Sequence, residues 1–250
     1  MMNELRKIVV IGDIHGRDCW NKIIDDNPDA DLFVFLGDYV STHDDISPEC
    51  QIDNLFDILL YKEEHPDKVV LLRGNHDIQH LGYSWAECSG YFREVCNELS
   101  KNDVKERYLR DTQWVFTYKN ILFSHAGVSQ EWASNFGIQH PDEINNMPPS
   151  EAFGFRPCKI SDYYGTSPTQ GPVWIRPQTL VCYALPGWTQ VVGHTSAKMI
   201  FNITEAVKTQ YKDVDDLGIE IDKVPDIWLC DCLPREYLVI ENDKFIAKKV

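Results

Sequence analysis

Lys7-Ile8-Val9-Val10-Ile11-Gly12-Asp13-Ile14-His15-Gly16 decides the fold. Its first five residues form a β-branched, apolar run closed by a glycine, the pattern of a strand buried on both faces. The same design recurs in Asp31-Leu32-Phe33-Val34-Phe35-Leu36, followed by Gly37-Asp38-Tyr39, and in Lys68-Val69-Val70-Leu71-Leu72, followed by Arg73-Gly74-Asn75-His76-Asp77. Between these runs the pattern turns helical, near residues 17–26 and 48–64. The second helix opens with the start signal Ser47-Pro48-Glu49 and carries Ile52, Leu55, Phe56, Leu59 and Leu60 on one face. Strands alternating with helices imply a parallel sheet.

Further along, residues 91–110 read as helix, and 113–118 and 121–124 as strands joined hairpin-fashion at Lys119-Asn120. Residues 129–188 are rich in Pro, Trp and Tyr and only weakly periodic. Strands resume at 189–192, 199–203, 226–230, 236–240 and 244–248, and these late strands suggest a second sheet packed on the first. The expected architecture is α/β (α+β), built as one domain over residues 1–250, with 129–188 an insertion that shapes the substrate site. Its aromatic residues serve either the core or a stacking surface for a base or ring.

The formal net charge of -15 repels a phosphate backbone, which excludes general nucleic-acid binding. It does not exclude a phosphorylated substrate, because a site holding two divalent cations is positive even inside an acidic protein. The apolar run Ile8-Val9-Val10-Ile11 is too short for a signal-peptide core or a membrane span, so a cytoplasmic location without membrane partners is expected. Eight cysteines then read as reduced thiols, and Cys230-x-Cys232 as alternation along a strand rather than a metal pair.

Each early strand ends in a polar cluster. In a parallel sheet the carboxyl ends of strands share one edge, so distant loops converge there. Asp13 and His15, two apart on a near-extended segment, can point to the same side. Later strands end in Ser124-His125-Ala126-Gly127 and Gly193-His194-Thr195. Asp13, His15, Asp38, Asn75, His125 and His194 together make a mixed oxygen and nitrogen set, suited to manganese, iron or zinc rather than calcium. A histidine after one strand is commonly structural, whereas five such clusters in order point to metal.

The ordered motifs Gly-Asp-x-His-Gly, Gly-Asp-Tyr, Gly-Asn-His-Asp, Ser-His-Ala-Gly and Gly-His-Thr, spread over residues 12 to 195, resemble those of the calcineurin-like metallophosphoesterases. The resemblance is to the branch holding phosphoprotein phosphatases and bacterial and phage relatives, including diadenosine tetraphosphatases. It implies two packed mixed β-sheets flanked by helices. It also implies two metal ions, most readily manganese: Asp13 and His15 on the first, Asn75, His125 and His194 on the second, and Asp38 bridging them. A bridging hydroxide would attack phosphorus, and unligated His76 would donate a proton to the leaving oxygen, a role suited to an imidazole. Arg73 and Arg176, in Trp174-Ile175-Arg176-Pro177, match phosphate-binding arginines, with surface salt bridges the alternative for each.

Two departures qualify the resemblance. Where phosphoprotein phosphatases read Gly-Asp-Tyr-Val-Asp-Arg-Gly, this chain reads Gly37-Asp38-Tyr39-Val40-Ser41-Thr42-His43-Asp44. The Asp that orients the acid histidine and an Arg that grips phosphate are therefore missing, with Asp44, Asp45 or His43 as candidates to compensate. Gly193-His194-Thr195-Ser196 lacks the second histidine of nucleases and many phosphodiesterases, which favours the phosphatase-like branch. The expected substrate is a phosphorylated small molecule, a nucleotide or a phosphoprotein. A diadenosine-polyphosphate hydrolase is the rival enzyme and a non-catalytic scaffold the rival of another class.

Overall fold

The computed structural model describes residues 4–82, 88–149, 164–210 and 223–250. Part of the expected insertion, residues 150–163, lies outside them. The three apolar runs become β1 (Lys7–Ile11), β2 (Leu32–Phe35) and β3 (Val69–Leu72), paired in parallel with Ile8 opposite Leu32 and Phe33 opposite Val69. Helices α1 (Trp20–Asp25) and α2 (Pro48–Glu64) connect them, and the Ser47 hydroxyl caps α2 by accepting from Cys50 N at 3.2 Å. The buried face of α2 carries Leu55, Ile58 and Leu59, whereas Leu60, expected on it, is 47% exposed.

After β3 the chain forms α3 (Asn75–His80), α4 (Arg93–Leu99) and α5 (Asn102–Asp111), so the single helix expected at 91–110 is two, broken at Ser100-Lys101. The strand expected at 113–118 is also divided. Its first part, β4 (Thr112–Gln113), pairs with β3, and its second, β5 (Val115–Tyr118), pairs with β6 (Ile121–Ser124) in another sheet. Trp114, fully buried, marks the crossing, and Asn145 Oδ1 accepts from the backbone N–H groups of Trp114 and Val115 at 2.9 and 3.1 Å. Then come α6 (Gln130–Asn135), a 3₁₀ turn over Pro141–Asn146, α7 (Pro177–Tyr183), β7 (Thr189–Val192), β8 (Phe201–Asn202), α8 (Ile203–Gln210), β9 (Ile227–Leu229), β10 (Glu236–Glu241) and β11 (Lys244–Lys249).

Two mixed sheets result, ordered β11-β10-β1-β2-β3-β4 and β5-β6-β7-β9-β8. The last two strands, expected with the late strands in a second sheet, instead join the first, β10 lying antiparallel to β1 with Val9 opposite Val239. Alternate residues of β1 and β2 face opposite ways, as a pleated strand requires. Ile8, Val10, Leu32 and Val34 meet Phe116, Phe123 and Val191 between the sheets, while Val9, Ile11, Phe33 and Phe35 meet Trp20, Leu55, Ile58 and Leu59 of the helices. Cys230 and Cys232 follow β9 and pack into the inter-sheet core rather than alternating along a strand. No described helix is long and apolar enough to cross a membrane.

Candidate metal centre

The parallel strands β1, β2 and β3 of one sheet and β6, β7 and β9 of the other end at a common edge, where the polar clusters meet. Asp13, His15 and Asp38 form one group whose donor atoms lie within 4.8 Å of one another, and Asp38, His125 and His194 form another. Asp38 belongs to both. Its Oδ2 stands 3.9 Å from His15 Nε2 and 3.3 Å from His125 Nε2, and its Oδ1 accepts from His76 N at 2.9 Å. Asn75 closes the second group: its Oδ1 is 2.9 Å from His125 Nε2 and 3.0 Å from His194 Nδ1. All six expected ligands are thus brought together.

The backbone pays for this convergence locally. His15, Asp38 and His194 have φ of 48°, 52° and 63°, the left-handed region that residues other than glycine seldom adopt. Two glycines permit the close approach of the loops: a Cβ on Gly74 would overlap the Asp38 carboxylate, and one on Gly193 would overlap that of Asp13. The His194 backbone N–H, freed by that turn, donates to Asp13 Oδ2 at 2.9 Å.

The donor set fits metal ions by one specific observation. Each histidine donates the N–H of its outer nitrogen to a backbone carbonyl: His15 Nδ1 to Ser41 O at 2.6 Å, His125 Nδ1 to Leu36 O at 2.8 Å, His194 Nε2 to Trp174 O at 3.2 Å. This leaves His15 Nε2, His125 Nε2 and His194 Nδ1 facing the cluster. Such outer hydrogen bonds are what fix the tautomer and direction of metal-binding imidazoles.

Protons balance the buried charge in the free protein. Burial alone would depress His125, but the Asp38 and Asp13 carboxylates overcome it and raise the imidazole to about 10. Burial likewise pushes Asp38 up, yet His125 and His76 outweigh it and hold the carboxyl below its usual range. Asp13 is driven well above that range by burial and then by the Asp231 carboxylate. Burial, reinforced by Arg176, keeps His194 deprotonated. Asp77, whose carboxylate accepts from the N–H groups of Asp38, Tyr39 and Gly74, is raised to about 7 by burial and by Asp38.

His76 lies beside the cluster, its ring edge-on to His15 with centroids 5.1 Å apart. Its Nδ1 is shut off from solvent without a hydrogen-bond partner, and burial, outweighing the pull of Asp38, takes the imidazole down to about 4. Nothing in the departing loop orients it. Ser41 Oγ lies 2.8 Å from His80 Nε2 and accepts from Gln79 Nε2 at 3.1 Å. Asp44 is paired with Arg17 at 2.7 Å, and His43 and Asp45 are exposed.

The two arginines separate. Arg176 reaches the site: its Nη1 donates to His194 O at 3.2 Å and Thr195 Oγ1 at 3.1 Å, over the Trp174 ring. It lines, with Asn75, His76, Tyr164, Trp174 and His194, a cavity of about 310 Å³. Arg73 does not fulfil the expectation of a phosphate contact. Its Nε donates to Thr112 Oγ1 and its Nη2 to the Thr112 and Leu109 carbonyls, at 2.7 to 2.9 Å, with the guanidinium stacked on Trp114. Asp231, 8% exposed and just past the carboxyl end of β9, is a further carboxylate at this edge that the motifs did not single out. An Asp directly after a strand was the available signal, masked by the cysteines on either side.

Known proteins share the family pattern and the fold. The sequence profile of the calcineurin-like phosphoesterase family matches residues 6–184. A PP2A-like serine/threonine-protein phosphatase of Saccharomyces cerevisiae is 28% identical over 152 residues, covering 56% of this chain and 38% of that protein, so the match spans well under half of the relative's length. Among solved structures, a cold-active protein-tyrosine phosphatase of Shewanella sp. superposes with a TM-score of 0.61 at 17% identity, over 98% of this chain and 78% of that one. A metallophosphoesterase from Sphaerobacter thermophilus gives 0.53 at 15% identity, over 99% and 88%. With the family profile matched over most of its length and the two-sheet fold shared with these structures, the chain belongs to the calcineurin-like phosphoesterases.

Proposed function

We propose that this protein is a dinuclear phosphomonoesterase, one domain in which residues 129–188 shape the substrate site. The carrying observation is Asp38 Oδ2, set between His15 and His125 and therefore placed to serve two ions at once. Asp13 and His15 would hold one ion, Asn75, His125 and His194 the other, and Asp38 both, with manganese the first choice and iron or zinc also suited to the mixed set. The ions would supply positive charge for the phosphoryl oxygens and an acidified water as nucleophile. Arg176, held over Trp174 at the mouth of the cavity, binds a phosphoryl oxygen. His76 donates its proton to the leaving oxygen. It is neutral in the free protein, and a phosphoryl dianion beside it raises its affinity for a proton as the carboxylates do for His125.

The chain's similarity to proteins named as serine/threonine and tyrosine phosphatases supports a phosphoprotein or aryl phosphate as substrate. Exposed Tyr164 beside Trp174 favours a second reading, a nucleotide or dinucleotide whose base stacks there. A cytoplasmic setting accords with the free thiols of Cys19, Cys50, Cys88, Cys96, Cys182, Cys230 and Cys232. Metal analysis of purified protein, with a panel of phosphomonoesters, diesters and dinucleotides, decides between these. Two ions per chain and turnover of an aryl phosphate are expected; no more than one ion under saturating manganese overturns the dinuclear reading.

A further inference from the structure

Besides Asp77, whose carboxylate is taken up by backbone N–H groups, the common edge holds a carboxylate that the expected ligand set leaves out. Asp231 is more than nine-tenths buried, and its side chain makes no hydrogen bond or ion pair among the described residues. Its backbone is fixed: the carbonyl accepts from Ala197 N at 2.9 Å, and the preceding Cys230 N donates to Val192 O at 2.7 Å. Cys230 and Cys232 occupy the inter-sheet core, so the carboxylate between them is turned out of it. Gly12 packs directly on this turn, so closely that a Cβ there would overlap the Cys230 carbonyl and touch the Asp231 Cα. Asp231 therefore stands against the residue that precedes Asp13. Among charged groups, His15 acts on it most strongly, followed by Asp38, while Asp231 in turn is the charge that acts most strongly on Asp13.

Burying a carboxylate without a hydrogen-bond donor is costly, and placing it beside two others compounds the cost, which His15, His125 and Arg17 offset only in part. A cation among them resolves all three. We infer that Asp231 belongs to the metal centre, as an outer carboxylate flanking the group of Asp13, His15 and Asp38 and supporting the ion they would hold. The inference rests on the dinuclear reading above. It makes the two positions unlike. One is ringed by the carboxylates of Asp13, Asp38 and Asp231, a harder, oxygen-rich setting suited to manganese. The other is dominated by imidazoles and the Asn75 amide, suited equally to zinc.

The test is calorimetric titration of manganese into metal-stripped wild type, Asp231→Asn and Asp231→Ser, with thermal melts before and after loading. In the variants one ion should bind about ten- to a hundredfold more weakly, the usual effect of removing a carboxylate that supports a metal site, and the other as before. Metal-free Asp231→Asn should melt above metal-free wild type, because a like charge has gone, and should gain less on loading. Unchanged affinity for both ions overturns the assignment, as does an equal loss of melting temperature with and without metal, which would make Asp231 structural. If Asp231→Asn does not fold, Asp231→Ser carries the same comparison. Wild type that binds fewer than two ions sinks the dinuclear reading itself, whereas two ions in wild type with unaltered variants sinks only the role of Asp231.

Discussion

Three of the six expected ligands, His15, Asp38 and His194, sit in left-handed backbone at a cost of about 1–3 kcal/mol each, strain that marks a functional edge rather than a packing optimum. At the same edge His76→Asn should leave manganese content near that of wild type while lowering turnover about a hundredfold to ten-thousandfold, with a smaller loss on esters of better leaving groups. Loss of metal, with equal slowing on every ester, would make His76 a ligand instead. Arg176→Ala should lower kcat/KM by roughly thirtyfold to a thousandfold with the metals undisturbed, the worth of one charged hydrogen bond to a reacting phosphoryl group. Arg73→Ala makes the contrast. It should lower stability by about 1–3 kcal/mol through the unsatisfied Leu109 and Thr112 carbonyls and leave kcat/KM of the folded fraction unchanged, measured by denaturant melts and steady-state kinetics. The sequence could not separate these arginines, because the direction of Arg73 is decided by Thr112 and Trp114, some forty residues further on. The ligands were legible because each directly follows an apolar run, and backbone register then places it.

Strands were legible for the same reason: β1, β2, β3 and β6 are largely apolar runs, and β7 ends on Val191-Val192, so that their ends coincide with the motifs they present. What escaped was partnership. Trp114 sends two halves of one apparent strand into different sheets, and β10 returns to β1 across the length of the chain, neither of which leaves a local pattern. The break between α4 and α5 at Ser100-Lys101 is equally quiet, since helical periodicity continues on both sides. The turn after β7 can be tested by itself. Gly193→Ala places a methyl group into the Asp13 carboxylate while meeting the apolar core, at Leu36, only at ordinary van der Waals distance. The expected outcome is a protein with native far-UV circular dichroism and reduced manganese content; full metal occupancy would show that the turn relaxes.

The free protein keeps protons where cations would sit, on His125, raised to about 10, and on Asp13, raised by burial and Asp231. Metal binding must expel them, so manganese affinity should rise with pH as protons cease to compete, up to the point where the imidazole is already bare. Calorimetry in buffers of differing ionisation enthalpy measures the release directly. Heats that do not depend on the buffer would show that the site is already deprotonated. Asp13, His15, Asp38 and Asn75 come from one sheet and its loops, His125 and His194 from the other. Ions bound among them would act as rivets through one rim of a sandwich whose other rim is closed by apolar contact and by polar links such as Tyr118 to Leu5 and Lys119 to Asp243. Pulling the rivets with a chelator should let that rim gape while the far rim stays shut, so amide hydrogen exchange should quicken at residues 12–16 and 193–195 well before it does along β10 and β11.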